Sequence, residues 1–241
     1  MTPYLLRLAP AALLLACAAD EKVRISGQVW DSPDAIEALA GVDVTARDLD
    51  GAVLSTTTTD ATGAFSLQLG VQTTFFLHLE AEGWVPTAFT GMTGLSPARS
   101  PDGALFLRHP DAQGELDARF AHCDGSGAGG QVDGEMRLYL GDTTASVDQL
   151  PLITTGHARA VDAAGAEVEG CYPLDGQPEG VTDPESTGET GAFVVTGLEP
   201  GPARLTLSFE LGEALGHADV YPVYIPEGGV APLAPAWITA P

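Results

Sequence analysis

Apolar and polar residues alternate with a period of two along much of this chain. Val23, Ile25 and Val29 alternate with Arg24, Ser26 and Gln28, the pattern of a strand buried on one face. Val42 and Val44 predict a second strand, and Val53 to Thr59, rich in β-branched threonine, a third. Phe65, Leu67 and Leu69 predict a fourth, Phe75, Leu77 and Leu79 a fifth, and Trp84 to Phe89 a sixth, which Pro86 marks as an edge. Ala104 to Leu107 closes the set. Asp50-Gly51 and Thr62-Gly63 are turn signals between these runs. Short strands at this spacing, separated by Gly, Asp and Pro, predict an antiparallel β-sandwich.

The pattern changes over 109–130, expected to be a connector. Leu116 and Phe120 stand four apart, with Asp111 placed to cap a short helix and Gly114 weakening it. Gly125 to Gly130 formally fits GxGxxG, but it precedes a strand signal instead of opening a helix, so it reads as a flexible connector. Met136 to Leu140 predicts a strand with no assigned partner. Beyond it, Asp162-Ala163-Ala164-Gly165 predicts a turn, and Ala203, Leu205, Leu207 and Phe209 alternate. Thr190-Gly191-Ala192-Phe193 repeats Thr62-Gly63-Ala64-Phe65. Glu169-Gly170-Cys171 then takes the place of Ala40-Gly41-Val42, and Asp175 to Glu189 is an acidic insertion. Val220 to Ile225 and Val230 to Ile238 flank Pro226-Glu227-Gly228-Gly229, expected to be a hairpin, with the prolines at 222, 232 and 235 marking edge strands.

The amino terminus follows a different rule. Arg7 precedes an apolar run, Leu8 to Ala16, which ends in a small residue and Cys17. This is the order of a secretory signal peptide, too short to span a bilayer as a stable helix. Leu14-Leu15-Ala16-Cys17 resembles the lipobox of bacterial lipoproteins. That resemblance implies removal of residues 1–16, acylation of Cys17, a tether over 17–21, and attachment to a membrane. Ala18 and Ala19 follow Cys17, without the aspartate that favours inner-membrane retention in enteric bacteria, so the outer membrane of a bacterial cell envelope is the expected address.

Charge and cysteines narrow the partners. The chain carries 10 Lys and Arg against 33 Asp and Glu, a net charge of −23. Such a surface repels phosphate backbones, so no nucleic-acid partner is expected. Hydrophobic content of 44% is too high for a disordered acidic tail. If Cys17 carries lipid, Cys123 and Cys171 remain as an even pair in an oxidising compartment, and a disulfide is expected.

Ile25-Ser26-Gly27-Gln28-Val29, Ala40-Gly41-Val42-Asp43-Val44-Thr45-Ala46 and Thr58-Thr59-Asp60-Ala61-Thr62-Gly63-Ala64-Phe65-Ser66-Leu67 follow in order, and then Glu82-Gly83-Trp84-Val85-Pro86. This series resembles the carboxypeptidase regulatory-like domain, a small transthyretin-like β-sandwich, over 22–108. Gly197-Leu198-Glu199-Pro200-Gly201 looks like the same family again. The resemblance implies an all-β chain of two tandem transthyretin-like antiparallel sandwiches, 22–108 and a divergent 131–241, joined by a short helical or irregular connector. It also implies structural, binding or folding-assisting work beside other proteins.

Catalytic signatures are weak. Gly94-Leu95-Ser96-Pro97-Ala98 falls short of GxSxG, and Lys22 is the only lysine, so no S-x-x-K exists. None of the five histidines fits HExxH. His78 lies opposite the leucines of its strand and is expected at a surface or edge. His122, Cys123 and Asp124 could ligate a metal, but disulfide use of Cys123 removes the sulfur. Asp48 and Asp50 before Gly51 read as a turn, since the remaining calcium-loop positions do not follow. No catalytic, cofactor or metal site is expected. The reading is a non-enzymatic envelope lipoprotein acting as a structural or protein-interaction module, bound to the membrane through Cys17, with an envelope protein or glycan as partner. Two alternatives stay open. One is a carbohydrate- or peptide-binding sandwich using Trp30, Trp84 and Trp237, residues that core packing could equally claim. The other is a hydrolase with a site assembled from distant acids.

Overall fold

A computed structural model describes residues 22–92, 98–99, 105–123, 129–139, 151–179, 181, 184–211, 214–233 and 236–239. The expected signal peptide and tether, with Cys17, lie outside these residues, as do Gly94 to Pro97 and Asp124 to Ala128. The described chain is all-β with one short α-helix and a single 3-10 turn at Gly188–Thr190, arranged as sandwich-like sheets.

The amino-terminal half forms β1 (Lys22–Trp30), β2 (Asp43–Arg47), β3 (Val53–Thr58), β4 (Ala64–Gly70), β5 (Thr74–Glu80), β6 (Thr87–Met92), β7 (Ala98–Arg99) and β8 (Leu105–Phe106). β1 pairs antiparallel with β4, while β7 and β8 run parallel to β1. The facing layer has the order β3-β2-β5-β6. Val23, Ile25 and Val29 of β1 meet Val44 and Ala46 of β2, Phe65, Leu67 and Leu69 of β4, and Phe75, Leu77 and Leu79 of β5 in one core. The alternation read from the sequence is thus the inner face of each layer.

A helix, α1 (Pro110–Arg119), follows. Its cap is His109, whose Nδ1 accepts the Asp111 N–H at 3.2 Å, with Pro110 as the first helical residue. Asp111, expected as the cap, sits instead in the first turn, where its charge suits the helix dipole.

The carboxyl-terminal half forms β9 (Gly130–Tyr139), β10 (Gly156–Val161), β11 (Glu167–Glu169), β12 (Ala192–Leu198), β13 (Gly201–Leu211), β14 (Ala214–Ile225), β15 (Val230–Pro232) and β16 (Ala236–Thr239). These strands repeat the first eight in order and pairing. β9 pairs antiparallel with β12 as β1 does with β4. β15 and β16 run parallel to β9 as β7 and β8 do to β1. The second layer, β11-β10-β13-β14, matches β3-β2-β5-β6. The unassigned strand near Met136 is therefore the first strand of the second sandwich, and Val132 and Met136 lie in its core with Leu205, Leu207 and Phe193.

Four expectations change. The sandwiches are as expected, but their sheets are mixed, because β7 and β8 run parallel to β1 and β15 and β16 to β9. Pro226–Gly229 does not make a hairpin. The chain turns there and crosses to the other layer, where Val230 to Pro232 pairs parallel with β9, and Val230 also with Thr87 of β6. Neither β6 nor β15 is an edge. Pro86 precedes β6 and offers its carbonyl to the Val230 N–H at 2.8 Å, and Pro232 lies beyond the single β6 contact. Finally, the counterpart of Val42 is Gly156, not Cys171.

The two sandwiches share a sheet. β15 joins β9 to β6, giving the order β12-β9-β15-β6-β5-β2-β3 across both halves.

Candidate functional site

Local geometry first shows how each module is locked. Thr59 donates its hydroxyl to the Leu39 carbonyl at 2.7 Å and accepts the Val42 N–H at 2.9 Å. Thr187 repeats this. Its hydroxyl donates to the Ile153 carbonyl and accepts the Gly156 N–H at 3.1 Å. Each begins a matched heptad, Thr59-Asp60-Ala61-Thr62-Gly63-Ala64-Phe65 and Thr187-Gly188-Glu189-Thr190-Gly191-Ala192-Phe193. Gly63 and Gly191 both take left-handed backbone, with φ of +73° and +64°.

A second device recurs three times as Asp-x-x-Gly-Ala, at Asp48, Asp60 and Asp162. The aspartate Oδ1 accepts the N–H groups two and four residues on, at 2.8–3.1 Å. The Thr62 hydroxyl and these N–H groups hold the Asp60 carboxyl below its usual range. Asp48 is therefore a turn residue, as expected. The sequence signal for both devices, a threonine three residues before Thr-Gly-Ala-Phe and a repeated five-residue pattern, went unread.

The seam between modules holds a largely buried ion pair. Arg108, just after β8, forms a bidentate pair with Asp133 of β9, both bonds 2.8 Å, with side chains only 12% and 13% exposed. Arg108 also donates to Gln113 at 3.0 Å. On the outer face of β5, Phe76 is only 1% exposed because Tyr224 of β14 covers it, ring centres 5.7 Å apart. Arg47 lies over the same ring at 5.2 Å, and Thr90 donates to the Pro222 carbonyl at 2.8 Å. His78 is not a surface histidine. It packs 5.9 Å from Tyr224, its buried Nε2 has no protein partner, and burial pushes its pKa down. No pattern in β5 alone could reveal what covers its outer face.

The third locus is a strap on the second sandwich. Leu116 of α1 and Phe120, which caps its end, pack on Val194, which faces away from the core side of β12. Cys123 is bonded to Cys171, the pair expected from the sequence, and Cys171 is hydrogen-bonded both ways to Val194. Arg119 holds Asp175 through bonds of 3.0 and 2.8 Å, keeping that carboxyl below its usual range. Tyr172 accepts the Ala158 N–H at 2.8 Å, and burial raises its pKa to about 12. His122 Nε2 lies 2.9 Å from the Tyr172 carbonyl, 3.7 Å from the Cys171 sulfur and 3.9 Å from that of Cys123.

Under the strap a cavity of about 250 Å³, lined by Leu116, Arg119, Phe120, Glu135 and Phe193 among others, is smaller than the roughly 300–1,000 Å³ usual for small-molecule sites. Of the candidate stacking residues, Trp30 and Trp84 are half-buried, Trp84 edge-on to His109 at 5.5 Å. Trp237 lies in β16.

No family model matches the chain, and neither does any curated protein. Among solved structures, the TIE protein of Bacillus anthracis superposes with a TM-score of 0.31 at 11% identity, over 91% of this chain and 33% of that one. This chain thus spans about a third of that protein. The shaft pilin SpaA of Lactobacillus rhamnosus GG gives 0.30 at 10% identity, over 92% and 98%. GBS52, a minor pilin of Streptococcus agalactiae, gives 0.30 at 11%, over 90% and 94%. Values of this size assign neither family nor role.

Proposed function

We propose that this chain is a non-enzymatic structural or protein-interaction module of a bacterial cell envelope. Its two sandwiches, of the carboxypeptidase regulatory-like kind, would be held at the outer membrane by lipid on Cys17. The observation that carries the reading is the shared sheet sealed by Arg108 and Asp133. Among the described residues, Arg108 and Asp133 join one module to the other, and Arg119 and Asp175 tie α1 to the second. A body of this kind presents fixed surfaces at a constant separation, which suits contact with other envelope proteins. Two or three acyl chains on Cys17 would hold it durably, where one would not.

The anchor is tested by fractionating cells that express the full chain. The wild type is expected with membranes and Cys17→Ala in the soluble fraction. Membrane sedimentation of Cys17→Ala, or a mature amino terminus elsewhere than residue 17 by mass spectrometry, overturns it.

A further inference from the structure

We propose that His122, Cys123 and Cys171 form a zinc site in the reduced protein, so that a metal ion takes over the closure that the disulfide provides in the oxidised one. Among the described residues, these three are the group of histidine, cysteine and acidic side chains whose ligand atoms all lie within 4.8 Å of one another. Tetrahedral zinc, with bonds of about 2.3 Å to sulfur and about 2.0 Å to nitrogen, places nitrogen and sulfur about 3.5 Å apart and two sulfurs about 3.8 Å apart. His122 Nε2 already stands 3.7 and 3.9 Å from the two sulfurs. Only the sulfurs must separate, and the Cα atoms carrying them are 6.0 Å apart. Two thiolates and an imidazole are the donor set that zinc favours.

Burial and access agree with this. Cys123 is buried, Cys171 half-buried and His122 exposed, so a cation reaches the sulfurs from the imidazole side. In the oxidised protein Nε2 faces the Tyr172 carbonyl at 2.9 Å and so carries the ring proton. Metal binding requires the other tautomer, with the proton on Nδ1 and the Nε2 lone pair on zinc. The fourth position falls to water or to the Tyr172 carbonyl.

The chemistry balances in two steps. A dithiol reductant gives two electrons and two protons to the Cys123–Cys171 bond, leaving two thiols, and is itself oxidised to a disulfide. Zinc(II) then displaces one proton from each thiol to form two zinc–thiolate bonds, with no further change of oxidation state. The loop between Cys123 and Cys171, 48 residues in sequence separation, stays closed in both states.

The test uses full-length protein reduced with a dithiol, freed of it without oxygen, and titrated with cobalt(II) as a coloured stand-in for zinc. The expected result is sulfur-to-cobalt charge-transfer absorption with tetrahedral d–d bands, saturating at one equivalent and abolished by zinc. Oxidised protein and Cys123→Ser should give no such bands, and His122→Ala should bind at least tenfold more weakly. His122→Ala retains both cysteines, so its oxidised form controls for folding. If reduction loosens α1, zinc should restore its amide protection against hydrogen exchange. Absence of bands with no restored protection, or equal affinity in His122→Ala, overturns the proposal.

Discussion

The first sandwich and the second are built on one plan, yet they are finished differently. Both have eight strands in the same order, a threonine lock, and an aromatic residue after a left-handed glycine. In the first, five residues (59–63) carry the chain from β3 to β4. In the second, the equivalent passage runs from Gly170 to Gly191 and holds Cys171, Tyr172 and Asp175, and each of the three helps fasten this excursion or the strap. Asp175, the first residue of the acidic insertion, thus helps hold α1 through Arg119. One module is a plain sandwich, while its copy carries a helix bolted to the outer face of β12. The difference teaches that the shared plan needs neither helix nor disulfide, so these serve the second module's outer surface.

The sharpest way to break the comparison is to separate the copies. Arg108→Ala strands the Asp133 carboxylate in the seam, and breaking such a buried pair costs about 3–5 kcal/mol. Chemical denaturation should then split into two transitions, one per sandwich. A single transition with unchanged midpoint contradicts the seam's role.

Removing the bolt comes next. Cys123→Ser with Cys171→Ser removes a closure that chain entropy values at about 4 kcal/mol. Hydrogen-exchange mass spectrometry should show lost protection in α1 and around 170–176, with 22–90 unchanged. Equal loss in both modules would contradict a local strap.

The locks sharpen the comparison on a smaller scale. Thr59→Val and Thr187→Val each leave a backbone N–H unpaired, at about 1–3 kcal/mol. The two costs should agree closely in denaturant titrations. A harmless Thr187→Val beside a damaging Thr59→Val would break the equivalence.

The smallest effect is one of pH. Burial lowers the His78 pKa in the folded chain, so the folded state resists the proton that the unfolded state accepts. The arrangement is fully stabilising above the ordinary histidine value, and stability falls as pH drops through that value toward the lowered one. Arg47 opposes the charge and Glu80 favours it. His78→Leu should flatten the dependence of stability on pH below the ordinary histidine value. An unchanged slope contradicts its burial in the seam.

Much of this arrangement was legible. β1 and β4 alternate cleanly because one face is core and the other is not. The Thr-Gly-Ala-Phe repeat exposed the duplication, and cysteine count with export named the disulfide. Gly156–Val161 escaped because its inward residues are Ala158 and Ala160, too small to register as an apolar stripe. Cys171 resembles the start of that strand in the sequence because it too follows a glycine. The parallel strands escaped because runs of two to four residues carry no pairing signal. The seam escaped because its charged partners come from opposite halves, Arg108 ending one module and Asp133 opening the other, and nothing local links them.

The central claim is that two copies of one sandwich form a single rigid body. Spin labels at Thr56→Cys in the first module and Ala166→Cys in the second, both exposed, report it by pulsed electron paramagnetic resonance. One narrow distance distribution is expected for the otherwise unaltered protein, broadening when Arg108→Ala is added. A broad distribution before that change would contradict the claim.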